Sequence, residues 1–193
     1  MVCGHVWPAS PPSSCIERLR EATQDISSRE IIGGMLRIRP ATIDDAALLM
    51  TMIRELAAYE HELDLVAITE EQLKQNGFGG NPDFRALIAE CDQQPGGYAL
   101  FFGYYSTWRG RGLFLEDLFV REAFRGRGIG KALLAAVAHI GVKEHCYGIR
   151  WEVLGWNEKA IELYKALGAE FEDRWRQVVL SGQAMERLAG NSL

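Results

Sequence analysis

Between Phe114 and Leu134 the chain reads FLEDLFVREAFRGRGIGKALL. Two adjacent carboxylates, Glu116 and Asp117, stand inside an apolar run, and behind them comes Arg125-Gly126-Arg127-Gly128-Ile129-Gly130-Lys131. A carboxylate in an apolar strand is costly unless it is paired or put to use. It can hold a cation, accept a proton, or neutralise an arginine. The arginine–glycine stretch offers different chemistry. Its glycines allow sharp turns and close approach to backbone amides. A helix opening behind them points unpaired N–H groups and the positive end of its dipole outward. Arg125, Arg127 and Lys131 add charge, so the stretch reads as a phosphate cradle; the plain alternative is a solvated turn.

Two familiar phosphate loops do not fit. A dinucleotide loop needs GxGxxG in the first βα turn, whereas Gly126, Gly128 and Gly130 give GxGxG late in the chain. A P-loop needs GxxxxGK followed by Ser or Thr, and here Ala132 follows Lys131 while Arg125 stands at the leading glycine position. The four histidines (His5, His61, His139, His145) and four cysteines (Cys3, Cys15, Cys91, Cys146) show no metal-ligand spacing. No metal site is expected, and the cysteines read as reduced thiols of a cytoplasmic protein.

The elements that must position these residues follow from periodicity. LRIRP from Leu36 is a first strand. Thr42 or Asp44 can cap a helix with apolar residues at Leu48, Leu49, Met52, Ile53, Leu56 and Ala57. A second, shorter helix opens with a Thr69–Gln72 capping box and stops at Gly77. FRALIAEC and GYALFFGYYSTW form a hairpin around DQQPGG, and GLFLEDLFV is a fourth strand. KALLAAVAHIG is a helix, YGIRWEVLGW a fifth strand, NEKAIELYKALG a helix between Asn157 and Gly168, and RWRQVVL a last strand before one or two helical turns. The expected class is α/β (α+β): a mixed, mostly antiparallel central sheet with helices on both faces.

The chain of 193 residues is 48% hydrophobic, enough for one core, and its net charge of −5 argues against a nucleic-acid binder that works by bulk charge. No run approaches the roughly 20 apolar residues of a membrane span. Residues 1–34, with PASPPSSC, are expected to be a poorly ordered N-terminal extension containing at most a short helix from Ser14 to Gln24, and residues 35–193 the folded domain, with Met35 its natural start.

At Arg125-x-x-Gly128-x-Gly130 the sequence resembles the GNAT superfamily of N-acetyltransferases, whose pyrophosphate motif is RxxGxG after the fourth strand. The resemblance runs through nearly all of Met35 to Gly190. It is closest to the diamine acetyltransferase branch, on IRPAT, ELAAYE, GFG, YSTW, LEDLFV, FRGRGIG, WNEKAIELYKALGA and RLAG. YSTW and LYKALGA look most like its thialysine-acetylating paralogues. The resemblance implies a GNAT fold, acetyl-CoA as co-substrate, and a homodimer. The acetyl group would go to a small cationic amine: a diamine, thialysine or another amino acid with a side-chain amine.

It also implies roles. The loop Arg125–Lys131 grips the pyrophosphate, and backbone groups of Leu118, Phe119 and Val120 hold the pantetheine arm as an added strand would. Glu116 attracts the amine and accepts its proton through water. Its residue-level alternative, shared with Asp117, is an ion pair with Arg37, Arg39 or Arg150. Tyr164, by pattern a core tyrosine, becomes the proton donor to the CoA sulfur. Asn157, by pattern an N-cap, also approaches CoA. Tyr59, Glu60 and Trp108 join Glu116 in holding the substrate; alone they read as a helix end and a hairpin cover. Ser106 stands where the polyamine-specific branch has an aspartate, which favours a shorter substrate, and Arg109 and Arg111 are candidates to pair with a substrate carboxylate. Asp117 is left without a role. The rival functions are acetylation of a protein lysine or N-terminus on the same scaffold, and a non-catalytic CoA-binding sensor.

Overall fold

The computed structural model describes residues 29–31 and 34–190. The expectation for the extension before Arg29, including its short helix, lies outside the described residues. The chain divides into a first unit ending at Glu152 and a second beginning at Val153.

The first unit is built on a six-stranded sheet in sequential order: β1 (Arg29–Ile31), β2 (Gly34–Pro40), β3 (Arg85–Cys91), β4 (Gln94–Ser106), β5 (Gly110–Val120) and β6 (Ile149–Arg150). All neighbours are antiparallel except β5 and β6, which are parallel. Strand β1, pairing Arg29 with Leu36, falls within the stretch read as an extension. Two helices, α1 (Ala46–Tyr59) and α2 (Glu70–Phe78), follow β2, and α3 (Ile129–Lys143) follows β5.

Side-chain alternation separates two cores. Ala86 and Ile88 of β3, Tyr98 and Leu100 of β4 and Phe119 of β5 pack with Leu49, Met50 and Met52 of α1 and Leu73 of α2. Leu87, Ala89, Ala99, Phe101 and Leu113 are also buried but lie outside that cluster. They belong to the opposite face, where α3 packs on β4 and β5 and its Gly141 approaches Leu113. Helices on both faces of a mostly antiparallel sheet are the expected architecture.

Local chemistry sets the boundaries. The Thr42 amide and hydroxyl both donate to Asp45 Oδ2, at 2.8 and 3.1 Å, and Arg39 forks onto the same carboxylate at 2.8 Å from each terminal nitrogen. Arg39 Nε also donates to Glu90 at 2.7 Å, so one guanidinium ties the start of α1 to β2 and β3. Thr69 caps α2 through the expected box with Gln72. The helix does not stop at Gly77 but runs to Phe78; Gly77 is buried against the ring of Phe84, which is its reason for being glycine. The β3–β4 turn consists of Asp92 and Gln93 alone, both at positive φ (50° and 66°), the two-residue turn that suits a twisted hairpin. Pro95, Gly96 and Gly97, read as part of the turn, lie within β4. A Cβ on Gly97 would sit 2.4 Å from the carbonyl oxygen of Phe119, so close strand approach explains that glycine.

The second unit holds α4 (Glu158–Ala166) and α5 (Gly182–Gly190). Asn157 caps α4 by accepting from the Ala160 amide at 3.4 Å, and Gly168 follows its end at φ 82°. Two strand expectations fail. The fifth strand shrinks to Ile149–Arg150, and residues 174–180, expected as a last strand, have no regular structure. A strand needs a neighbour to satisfy its backbone, and among the described residues RWRQVVL has none.

Candidate active site

The site begins with an irregularity in β5. The register with β4 runs Val120–Gly97, Phe119–Tyr98, Leu118–Ala99 and Asp117–Leu100, then resumes at Leu115–Phe101. Glu116 is therefore the extra residue of a β-bulge, without a partner on β4. Upstream, Leu113 lies on the α3 face; downstream, Phe119 lies in the α1 cluster. The bulge makes that inversion, and by alternation it carries Asp117 onto the α1 face.

There the Tyr98 hydroxyl donates to Asp117 Oδ2 at 2.8 Å. Burial pushes the Asp117 carboxyl up to about 6, with the Tyr98 hydrogen bond opposing and the negative charges of Glu116 and Glu60 adding to the rise. Glu60, the residue that ends α1, is itself pushed up by burial and by Glu62. Glu116 is the most exposed of the three, but its shielding by the sheet, and then Glu152, push it up as well. Three carboxylates from the end of α1 and the bulge of β5 thus share one region, an arrangement that attracts a cation. The arginines proposed as partners are engaged elsewhere. Arg39 holds Asp45 and Glu90, Arg37 reaches Glu90 at 3.8 Å, and Arg150 lies over the ring of Tyr104. The ion-pair reading of Glu116 and Asp117 is not what the structure forms.

Beside the bulge the sheet opens. Strand β6 pairs only with Leu113 and Phe114. From Leu115 to Val120, β5 has β4 on one edge and, among the described residues, no strand on the other. Leu118, Phe119 and Val120 lie along that edge. It leads through a short turn, Glu122–Phe124, into the arginine–glycine loop. Gly126 and Gly128 are both left-handed, at φ 77° and 76°, and a Cβ on either would meet open space. Gly128 caps α3 without a side chain to occupy the first-turn amides, which therefore remain available to an anion. Ile129, 1% exposed, anchors that turn in the core. Gly130 and the exposed Lys131 complete it.

The arginines of the loop are held in place. Arg125 Nε donates to the Val120 carbonyl at 3.0 Å, and its guanidinium lies 4.5 Å from the ring centroid of Tyr59. Arg127 donates to the Ala123 carbonyl at 3.1 Å and covers Phe124. The end of α1 is fastened by Arg121, which forks onto Glu55 at 2.7 and 2.8 Å and donates to the Pro95 carbonyl at 3.0 Å. Tyr59, Glu60, Glu116, Asp117 and the loop are thereby gathered.

Trp108 is not. It sits at the tip of the β4–β5 hairpin, 86% exposed. The strand from Gly110 to Glu116 puts about 20 Å between them at ~3.4 Å per residue. Arg109, over the ring of Tyr147, and Arg111, whose carbonyl accepts from the Tyr147 amide, share that distant end. Asn157 and Tyr164 stand at the cap and two turns along α4 in the second unit. Tyr164 is the buried residue of α4, and burial pushes its hydroxyl above the ordinary tyrosine value. Sequence reasoning missed Tyr98 and the bulge. A lone tyrosine in an apolar strand carries no signal until the register puts an aspartate against it.

The donor set fits a coenzyme A thioester: an open strand edge for an amide-bearing arm, leading to amides and cations for a pyrophosphate. Among the described residues no group of three or more His, Cys, Asp or Glu is placed to hold a metal, and no helix is long and apolar enough to cross a membrane.

Known proteins share this fold. The model of the acetyltransferase (GNAT) family matches residues 49–169. A thialysine N-epsilon-acetyltransferase from Sus scrofa is 43% identical over 164 residues, covering 79% of this chain and 96% of its own. The human spermidine/spermine N(1)-acetyltransferase-like protein 1 is 36% identical over 140 residues, covering 69% of this chain and 20% of its own. An integron cassette protein from the mobile metagenome of V. cholerae shares the fold with a TM-score of 0.67 at 22% identity, over 81% of this chain and 98% of its own. The chain belongs to the acetyltransferase (GNAT) family, in its branch of diamine-type N-acetyltransferases.

Proposed function

We propose that the protein transfers the acetyl group of acetyl-CoA to the primary amine of a small diamine or of an amino acid with a side-chain amine, thialysine among them. The observation that carries this reading is the junction at β5: an open strand edge runs from a cluster of three carboxylates to the left-handed glycine loop at the start of α3. Acetyl-CoA, when bound, supplies an activated thioester. Leu118, Phe119 and Val120 hold its arm by their backbone, the residues from Arg125 to Lys131 hold its phosphates, and Asn157 is a further CoA contact.

An alkyl ammonium has a pKa near 10.4 and is no nucleophile while protonated. Glu60 and Glu116 draw it in, the ring of Tyr59 borders it, and Glu116 begins its deprotonation through water. Tyr164 keeps its proton at neutral pH because burial raises its hydroxyl. It is the acid in reserve for the departing sulfur. Two readings extend to the whole molecule. Trp175, Val178, Val179 and Leu180 are 50–90% exposed, an apolar run that supports a homodimer. The buried Cys91 and half-buried Cys146 suit a reducing, cytoplasmic setting.

The test is CoA release with thialysine, lysine, ornithine, putrescine, spermidine and spermine. Turnover is expected with all cationic amines of this size and kcat/KM highest for the short ones, since Ser106 brings no charge to the hairpin. Binding of acetyl-CoA without turnover on any of them would defeat the reading in favour of a sensor.

A further inference from the structure

Asp117 has no part in the chemistry described above, yet the fold goes to some length to place it. The bulge at Glu116 turns it onto the α1 face. Tyr98, 0% exposed, spends its hydroxyl on it at 2.8 Å. Glu60 from the end of α1 and Glu116 from β5 both act on it electrostatically. None of the described ion pairs neutralises it. A carboxylate retained under three like or shielding neighbours, one hydrogen bond deep, is built to change protonation state.

We propose that Asp117, oriented by Tyr98, is the group that finally takes and holds the proton lost by the substrate ammonium. The inference rests on the amine-acetylation reading above. In this step one N–H bond breaks and one O–H bond forms on the Asp117 carboxylate. The electron pair stays on nitrogen, and a positive and a negative charge vanish together. Glu116 takes the proton through water only in passing and is left ionised at the mouth to hold the next cation, and Asp117 returns its proton to water as the neutral amide leaves. The carboxyl, at about 6, is ionised at neutral pH yet basic enough to compete for a shared proton.

The experiment is the pH profile of kcat/KM for thialysine in the full chain and in Asp117→Asn, Tyr98→Phe and Glu60→Gln. Asp117→Asn is expected to lose ~10²-fold or more in kcat with acetyl-CoA affinity retained. Removing the Tyr98 donor moves the acid limb to higher pH, because that bond lowers the carboxyl. Removing the Glu60 charge moves it to lower pH, because that charge raises it. A purely structural aspartate would give neither displacement. An unmoved limb in both neighbours, or wild-type kcat in Asp117→Asn, would overturn the proposal. Carboxyl NMR titration reads the same group without turnover. A resonance titrating near 6 that shifts upward in Tyr98→Phe supports the proposal, and one in the ordinary aspartate range overturns it. A chain that passes this titration but acetylates none of the amines overturns the substrate reading instead.

Discussion

At the scale of single residues, the acids and the tyrosines divide by burial. Tyr164 and Tyr98 both carry raised hydroxyls, but Tyr98 is committed to Asp117, whereas Tyr164 is the acid proposed for the departing sulfur. Tyr164→Phe removes one oxygen and leaves the helix face apolar. We expect kcat to fall by ~10²-fold or more, the usual size for a lost general acid, while acetyl-CoA affinity by calorimetry stays within a few fold. Equal turnover would remove Tyr164 from the chemistry. Asp117 also carries a stability consequence. Its folded-state value is raised to about 6. Its contribution is therefore most favourable below the ordinary carboxyl range and is lost as pH rises through 6. At pH 8 Asp117→Asn should stabilise the fold by roughly 2–3 kcal/mol, since each tenfold change in proton affinity on folding is worth ~1.4 kcal/mol. The gain should shrink at pH 5 and nearly vanish at pH 4. Urea midpoints at the three pH values measure it, and a gain that does not depend on pH would show that ionisation of Asp117 is not its source. Less activity with more stability is the pattern of a group retained for function.

At the scale of elements, the loop and the bulge do different work, and only the loop was legible in advance. Gly128 is left-handed at φ 76° with no side-chain cap. Gly128→Ala is expected to destabilise by about 1 kcal/mol through strain in that conformation. It should also weaken acetyl-CoA binding at least tenfold, because the α3 amides lose their aim; calorimetry and thermal melts separate the two effects. The glycines were legible because the requirement is local. The capping box at Thr69, the cap at Asn157 and the apolar stripe of α1 were legible for the same reason. What escaped the sequence depends on pairing. The bulge at Glu116 exists only in the register with β4, and the Tyr98–Asp117 bond only after it. Pro95–Gly97 resembled a turn because the sequence does not show that Phe119 comes close. RWRQVVL alternates as a strand should, but alternation cannot supply the neighbour that a strand requires.

At the scale of the whole molecule, the described residues do not bring all the expected substrate contacts together. Tyr59, Glu60 and Glu116 come together, while Trp108 stands about 20 Å along the hairpin at ~3.4 Å per residue, with its ring 86% exposed. A tryptophan so exposed is the kind of residue that anchors an interface. In the proposed homodimer a second copy brings it to the amine, so that the site of each subunit depends on the other's hairpin. Subunit mixing decides the matter. Trp108→Ala and Glu116→Gln chains are each expected to be weakly active. Refolded together, half of the dimers formed are hybrids, and each hybrid carries one site with both Glu116 and Trp108 intact. Activity should then recover to about a quarter of wild type for random pairing in a two-fold dimer. If Trp108 acted within its own chain, every site in the hybrid would keep one defect and mixing would restore nothing. If the protein were a monomer, light scattering would give a mass near the single-chain 21.6 kDa, and no mixture could recover activity.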